Sequence, residues 1–267
     1  MCTDCGCGSS SSSIYRPEVP VAPKLQASVF TAVSAVAQQA AESVTGTVHQ
    51  HLEIALLQRN DDIAADNREG FKRTGTLALN LVSSPGAGKT TLLEKTLHAI
   101  ARDVPVAVIE GDQATDQDAQ RIAATGVKVV QVNTGTGCHL DADMIRRAAL
   151  QLQPLQQHLL LIENVGNLVC PALFDLGEKM KIVLLSVTEG DDKPLKYPHM
   201  FQAAGLLLIT KCDLLPYVEF DVDACIARAR QINPRLEVLQ LSSRTGQGMD
   251  VWQQWLLDRL SAVAKTG

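Results

Sequence analysis

No apolar run in this sequence of 267 residues approaches the roughly 18 residues that a membrane-spanning helix needs. Lysine and arginine form no cluster and the formal net charge is -5, so the chain carries no electrostatic footprint for DNA, RNA or an anionic lipid surface. The first residues lack the basic region and apolar stretch of a signal peptide, and a cytoplasmic location is the expectation. Seven cysteines are an odd number for a disulfide framework. A reducing compartment would keep them as thiols available to metal. No internal repeat is visible, and the length suits one α/β domain with a substantial core and some appended structure.

What the sequence does have begins at its start. Cys2, Cys5 and Cys7 stand within seven residues. A serine run and Pro17, Pro20 and Pro23 follow, a composition that cannot bury apolar surface and favours a flexible tether. Residues 1–24 are therefore expected to be a mobile, metal-binding tail and linker. From Leu25 to about Phe71 the chain is rich in Ala, Gln, Glu and Leu, with Leu52, Ala55, Leu56 and Arg59 at helical spacing and Gly46 dividing two helices. Residues 25–74 read as a helical appendage.

Residues 75–267 read as an α/β domain. Seven short β-branched or Leu-rich runs alternate with amphipathic stretches: Leu77 to Val82, Val104 to Ile109, Val127 to Val132, His158 to Ile162, Lys181 to Val187, Leu206 to Ile209 and Leu236 to Leu241. Such alternation predicts βα units and a mainly parallel sheet covered by helices on both faces, a three-layer arrangement. Ligands of such sheets sit at the carboxyl ends of the strands, so the residues after each run carry the chemistry.

After the first run comes Ser83-Ser84-Pro85-Gly86-Ala87-Gly88-Lys89-Thr90-Thr91, a phosphate loop. Gly86 and Gly88 let backbone N–H groups turn toward phosphate oxygens, Lys89 supplies charge for the β and γ phosphates, and the Thr90 hydroxyl can bind Mg²⁺. The usual first glycine is replaced by Ser83. Thr210-Lys211-Cys212-Asp213 follows the sixth run and resembles a guanine signature: a carboxylate at Asp213 accepts from guanine's ring N–H and 2-amino group, which adenine cannot offer. Ser242-Ser243-Arg244 resembles the remaining guanine loop. Glu163-Asn164-Val165-Gly166 follows the fourth run, where Glu163 would hold the Mg²⁺ shell through water and the Gly166 N–H could meet the γ phosphate. Asp112 is the other carboxylate in reach of the metal. The plainer reading of each strand-end carboxylate or turn is a solvated loop that binds nothing. No arginine can be nominated to assist hydrolysis, so slow turnover of GTP to GDP, as in a switch, is expected.

Cys138-His139 follows the third run and Cys170 lies beyond Gly166, which places all of them on the same edge of the sheet. Thiolate with imidazole suits Zn²⁺ or Ni²⁺, and three ligands leave a position that a symmetric dimer could complete. Inert packing is the alternative for Cys170, and packing is the reading for Cys212 and Cys225. His49 and His51 point apart on a helix and read as surface residues. The thiols of Cys2, Cys5 and Cys7, with a freed α-amino group, make a compact chelate that can be planar and so favours Ni²⁺.

Together, Cys-x-x-Cys-Gly-Cys, Ser-Pro-Gly-x-Gly-Lys-Thr-Thr, Glu-Asn-Val-Gly-Asn-Leu-Val-Cys-Pro, the Cys-His pair and Thr-Lys-x-Asp resemble HypB, the family of hydrogenase nickel-incorporation GTPases in the SIMIBI class. The resemblance covers the first seven residues and the domain from about Leu77 onward. It implies a tight nickel site at Cys2, Cys5 and Cys7, a second site tied to nucleotide state at Cys138, His139 and Cys170, and GTP-dependent homodimerisation. It also implies a HypA-type nickel-binding partner and the [NiFe]-hydrogenase large subunit as acceptor. Some members carry a histidine-rich stretch near the start, where this chain has serines. The competing readings are an accessory GTPase for another metalloenzyme such as urease, which leaves the thiol tail unexplained, and a passive metal buffer, which leaves the phosphate loop unexplained.

Overall fold

The computed structural model describes residues 54–155 and 158–264. The expected tail with Cys2, Cys5 and Cys7, the linker, His49, His51 and the first part of the helical appendage lie outside the described residues.

Seven strands form one sheet, and every pair in it is parallel: β1 (Leu77–Ser83), β2 (Val106–Asp112), β3 (Lys128–Asn133), β4 (Leu159–Glu163), β5 (Met180–Ser186), β6 (Ala204–Thr210) and β7 (Glu237–Gln240). Their order across the sheet is β3-β2-β4-β1-β5-β6-β7. The expectation of seven runs and a parallel sheet is met, with ends displaced by up to three residues. β1 is buried along its whole length, which fits its central place with a neighbour on each side and helices on both faces.

Alternate residues of the strands feed two sides. Leu77, Leu79 and Leu81 pack with Leu92, Leu93 and Leu97 of α2 (Lys89–Ile100), Ile122 of α3 (Gln117–Ala123), and Trp252 and Leu256 of α9 (Met249–Ala264). On the opposite face, Ala78, Ile109 and Ile162 pack with Ile145 and Ala148 of α4 (Ala142–Gln151), while Val183, Leu185 and Leu207 pack with Phe201 of α7 (Pro198–Ala203) and Cys225 of α8 (Val222–Ile232). Two short helices, α5 (Cys170–Leu173) and α6 (Lys193–Lys196), and a 3-10 turn over Cys212–Tyr217 complete the layers. No helix among the described residues is long and apolar enough to cross a membrane.

Helix α1 (residues 54–73) ends where Gly75 takes a φ of 63° that other residues adopt only under strain. Its apolar residues Ile54 and Leu56 are exposed, and the buried stripe is Asn60, Ala64, Asn67 and Phe71. The two asparagines act as clips. Asn60 accepts from Ala142 N at 2.9 Å and donates to Asp175 O at 2.7 Å, while Asn67 donates to Ala142 O at 2.8 Å and Leu176 O at 3.0 Å. Gly177, at φ 87°, permits this approach, because a Cβ there would stand 2.6 Å from Ala64 O. The described part of the expected appendage thus fastens the start of α4 to the loop that follows α5.

Candidate functional site

The turn between β1 and α2 carries the phosphate-loop residues. Gly86 and Gly88 have φ of 75° and 98°, which bends the backbone around the start of α2. Lys89 is buried, and its Nζ donates to Ser83 Oγ at 2.8 Å. Burial pulls the Lys89 pKa below its ordinary value against the attraction of Glu163. Ser83, the departure from the usual motif, is therefore a resting partner for the lysine. A cavity of about 490 Å³ opens here, lined by Gly88, Lys89, Thr90, Asp112, Glu163 and Gly166 among others.

Two buried carboxylates face this cavity. Thr90 Oγ1 donates to Glu163 Oε1 at 2.7 Å, and Glu163 Oε2 has no partner. Burial pushes the Glu163 pKa up to about 7, while Lys89 and Thr90 pull the other way. Glu110, beside Glu163 in the register of β2 and β4, also has a buried oxygen without a partner. Burial and the neighbouring Glu163 push its pKa up to about 8. Glu110 is a cavity residue that sequence reading misses, although it directly follows the run ending at Ile109; that reading selects Asp112, two residues on, instead. Burial raises Asp112 too, but hydrogen bonds from Thr115 and Gln113 outweigh it and hold the carboxyl below its ordinary value. The oxygens of Thr90, Asp112 and Glu163, the last with one buried oxygen unpartnered, are a hard donor set of the kind Mg²⁺ takes.

Arg121 of α3 also lines the cavity, held by Glu94 at 2.5 Å and Asp118 at 3.0 Å and donating to Thr91 Oγ1 at 3.2 Å. Its only sequence signal is the Asp118-to-Arg121 helical spacing. Gly166 presses on the phosphate loop: a Cβ there would stand 3.0 Å from Pro85 Cα.

The residues expected to read a base stand on the other side of β1. Thr210 Oγ1 donates to Ala87 O at 2.8 Å, and Lys211, at φ 58°, donates to Gly86 O at 2.6 Å. These bonds hinge the loop after β6 to the phosphate loop. Asp213 Oδ1 accepts from buried Ser242 at 2.6 Å, and half-buried Ser243 follows in the same turn after β7. Lys211 reaches the cavity itself, whereas Asp213, Ser242 and Ser243 lie beyond its lining.

Cys138, His139 and Cys170 converge. Their ligand atoms all lie within 4.8 Å of one another, and all three residues are half-buried. Cys138 Sγ is 3.0 Å from Cys170 Sγ and 3.7 Å from His139 Nδ1. The hydrogen bond with Cys138, and then burial, raise the Cys170 pKa, while burial lowers that of His139 and favours the neutral imidazole that metals bind. The His139 ring lies on Phe174, with centroids 3.9 Å apart. Cys212 and Cys225 are buried, with thiol pKa values raised by burial, as packing residues should be.

A sequence-family description, "CobW/HypB/UreG, nucleotide-binding domain", matches residues 77–240. The chain is 60% identical to "Hydrogenase maturation factor HypB" of Azotobacter chroococcum over 77% of this chain and 67% of that one. It is 49% identical to the protein of the same name from Escherichia coli K12 over 96% of this chain and 98% of that one. The solved structure "HypB from Helicobacter pylori in complex with nickel" superposes with a TM-score of 0.73 at 40% identity, covering 76% of this chain and 96% of that one.

Proposed function

This chain belongs to the CobW/HypB/UreG family and, within it, to the HypB hydrogenase maturation factors, and from that premise we propose that it is a GTP-hydrolysing nickel metallochaperone. It serves nickel insertion into the [NiFe]-hydrogenase large subunit. One observation carries the reading: the segment 163–170 bears Glu163 and Gly166 against the phosphate loop at one end and Cys170 of the thiol–imidazole cluster at the other.

GTP is the substrate. Lys89 leaves Ser83 for the β and γ phosphates, the Gly86–Gly88 backbone cradles them, Thr91 and Ala87 complete the loop, and the Gly166 N–H meets the γ phosphate. Asp213 selects guanine through its free oxygen and the one shared with Ser242, with Lys211, Ser242 and Ser243 bordering the base. Mg²⁺, when bound by Thr90, Asp112 and Glu163 through water, neutralises charge on the phosphoryl oxygens. Arg121 is tied to two carboxylates, so intrinsic turnover is slow.

Nickel is cargo. Cys138, His139 and Cys170 offer two thiolates and an imidazole, a borderline-soft set, and leave coordination positions for a receiving ligand or a second copy of the chain. Zn²⁺ suits the same donors. The tail thiols Cys2, Cys5 and Cys7 form the second carrier. A GTP-dependent homodimer working in the cytoplasm with a HypA-type nickel-binding partner completes the proposal.

The test is Lys89→Ala. It should abolish GTP turnover and hydrogenase maturation together. Normal maturation with turnover lost would reject the nucleotide-driven reading in favour of a passive metal buffer.

A further inference from the structure

Between the phosphate-facing segment and the metal cluster stands one buried side chain, Asn164, that uses both ends of its amide. Its Oδ1 accepts from Leu140 N at 3.1 Å and Val165 N at 3.0 Å, and its Nδ2 donates to Asn80 Oδ1 at 3.3 Å. Leu140 is the residue after His139, and Val165 is the residue before Gly166. A single side-chain oxygen therefore holds the backbone of both segments.

The other end of the amide is anchored in the sheet. Asn80 of β1 donates to Glu178 Oε1 at 3.1 Å, Glu178 accepts from Leu176 N at 2.7 Å, and Lys181 pairs with Glu178 at 2.9 Å. All of these side chains are buried. Partly broken polar chains in a core are costly, which makes the chain stiff. Leu140 itself has no free volume: it is fully buried, and a Cβ on Gly111 would stand 2.8 Å from its Cγ. A second tie runs in parallel, from Asn167 Nδ2 to Cys138 O at 3.2 Å, while Asn167 Oδ1 accepts from Val169 N at 2.9 Å.

We propose that Asn164 and Asn167 are positioning residues that couple the nucleotide site to the metal cluster, by fastening segment 163–167 to the backbone on either side of His139. A shift of Gly166 with the γ phosphate moves Val165 and hence the oxygen that holds Leu140, while Asn167 carries the same shift to Cys138. The spacing between the ligands on 138–139 and Cys170 then changes with nucleotide state. This inference rests on the proposed function, since it needs a nucleotide at one end and a metal at the other.

The test uses the full chain with Cys2→Ala, Cys5→Ala and Cys7→Ala, titrated with Ni²⁺ in the presence of GDP or a non-hydrolysable GTP analogue. The quantity read is the ratio of the two nickel affinities. In this parent the ratio should be about fivefold or more, within the usual range of coupling between sites. Asn164→Ala should bring it to within about twofold of one, and Asn167→Ala, which removes only a half-buried side chain, should shrink it at least about threefold. Asn164→Asp keeps an oxygen for Leu140 and Val165 and should restore part of the ratio. Circular dichroism establishes which variants are folded; if Asn164→Ala is not, the Asn167→Ala result decides. A parent ratio preserved in the folded variants, including the case where both affinities fall alike, overturns this assignment and leaves the proposed function standing. A parent ratio of one overturns the coupling altogether.

Discussion

Thr90 and Glu163, 73 residues apart in sequence, meet at 2.7 Å, with the threonine hydroxyl donating to the carboxylate. The first residues of α2 and the end of β4 are thus joined before any nucleotide arrives. Parallel pairing of β1 with β4 brings these strand ends level, since Leu81 stands opposite Glu163.

Glu163→Gln keeps an oxygen to accept from Thr90 but removes the charge. GTP affinity should stay within a few-fold, while turnover should fall roughly 10²-fold, the scale of losing one electrostatic group in a transition state. Single-turnover phosphate release measures it. Turnover equal to that of the unmodified chain would remove Glu163 from the hydrolytic machinery.

At the base end, Asp213→Asn replaces an acceptor by an amide whose NH₂ can donate. Guanine's 2-amino group then meets a donor, whereas xanthine's 2-carbonyl gains one. GTP binding should weaken by about 1–3 kcal/mol, or roughly 5- to 150-fold, and XTP binding should strengthen. Competition with a labelled guanine nucleotide reads both. Unchanged discrimination between GTP and XTP would show that the base is read elsewhere.

The strand-end logic singles out Glu163 and Asp213 because each follows an apolar run closely, a local signal. Cys138, His139 and Cys170 were legible for the same reason, although only the fold brings the two stretches together. Other residues of the site were not legible. Glu110 directly follows the run ending at Ile109 but is passed over for Asp112, Asn80 interrupts a run of leucines, and Asn60 and Asn67 are polar residues on the flank of the helix stripe that Leu52, Ala55 and Leu56 suggest. Their partners are far away in sequence, Asp175 for Asn60 and Leu176 for Asn67, and no periodicity records a polar contact across the fold.

Burial separates the cysteines, since Cys138 and Cys170 are half-buried and Cys212 and Cys225 are buried. Burial raises Cys212, and burial with the nearby Asp191 pushes Cys225 up to about 12, so neither forms thiolate near neutrality. In the folded chain at pH 7, N-ethylmaleimide should label Cys138 and Cys170 but reach Cys212 and Cys225 only after denaturation, and Ni²⁺ should protect the first pair. Peptide mass spectrometry reads each site. Early labelling of Cys225 would contradict its place on the buried face of α8.

The clip between α1 and the loop after α5 includes an ion pair, Arg68 with Asp175 at 2.6 Å. Burial raises the Asp175 pKa, but the Arg68 guanidinium and the Gly177 amide outweigh it and hold the carboxyl below its ordinary value. A depressed folded-state pKa contributes stability above the unfolded value, near 3.9, and that contribution is lost as the pH falls through the lower folded value. Both side chains are more than a third exposed, so Asp175→Asn should cost only about 0.5–1 kcal/mol at pH 7. Chemical denaturation at pH 7 and at pH 3 should show the gap between variant and parent narrowing in acid. A gap that is constant or wider in acid would mean that the pair does not stabilise the clip.

The order β3-β2-β4-β1-β5-β6-β7 has a further consequence. Strand β1 ends in the phosphate loop, the Cys138, His139 and Cys170 cluster hangs from the strands on its β4 side, and the loops bearing Asp213 and Ser242 hang from those on its β5 side. Under the proposed function, the cargo end would feel how many phosphates a nucleotide carries, while the base would lie a whole phosphate loop away from it. On that proposal, identity and charge state would be registered on opposite sides of β1. The same cargo chemistry would follow any base that the far end was altered to admit.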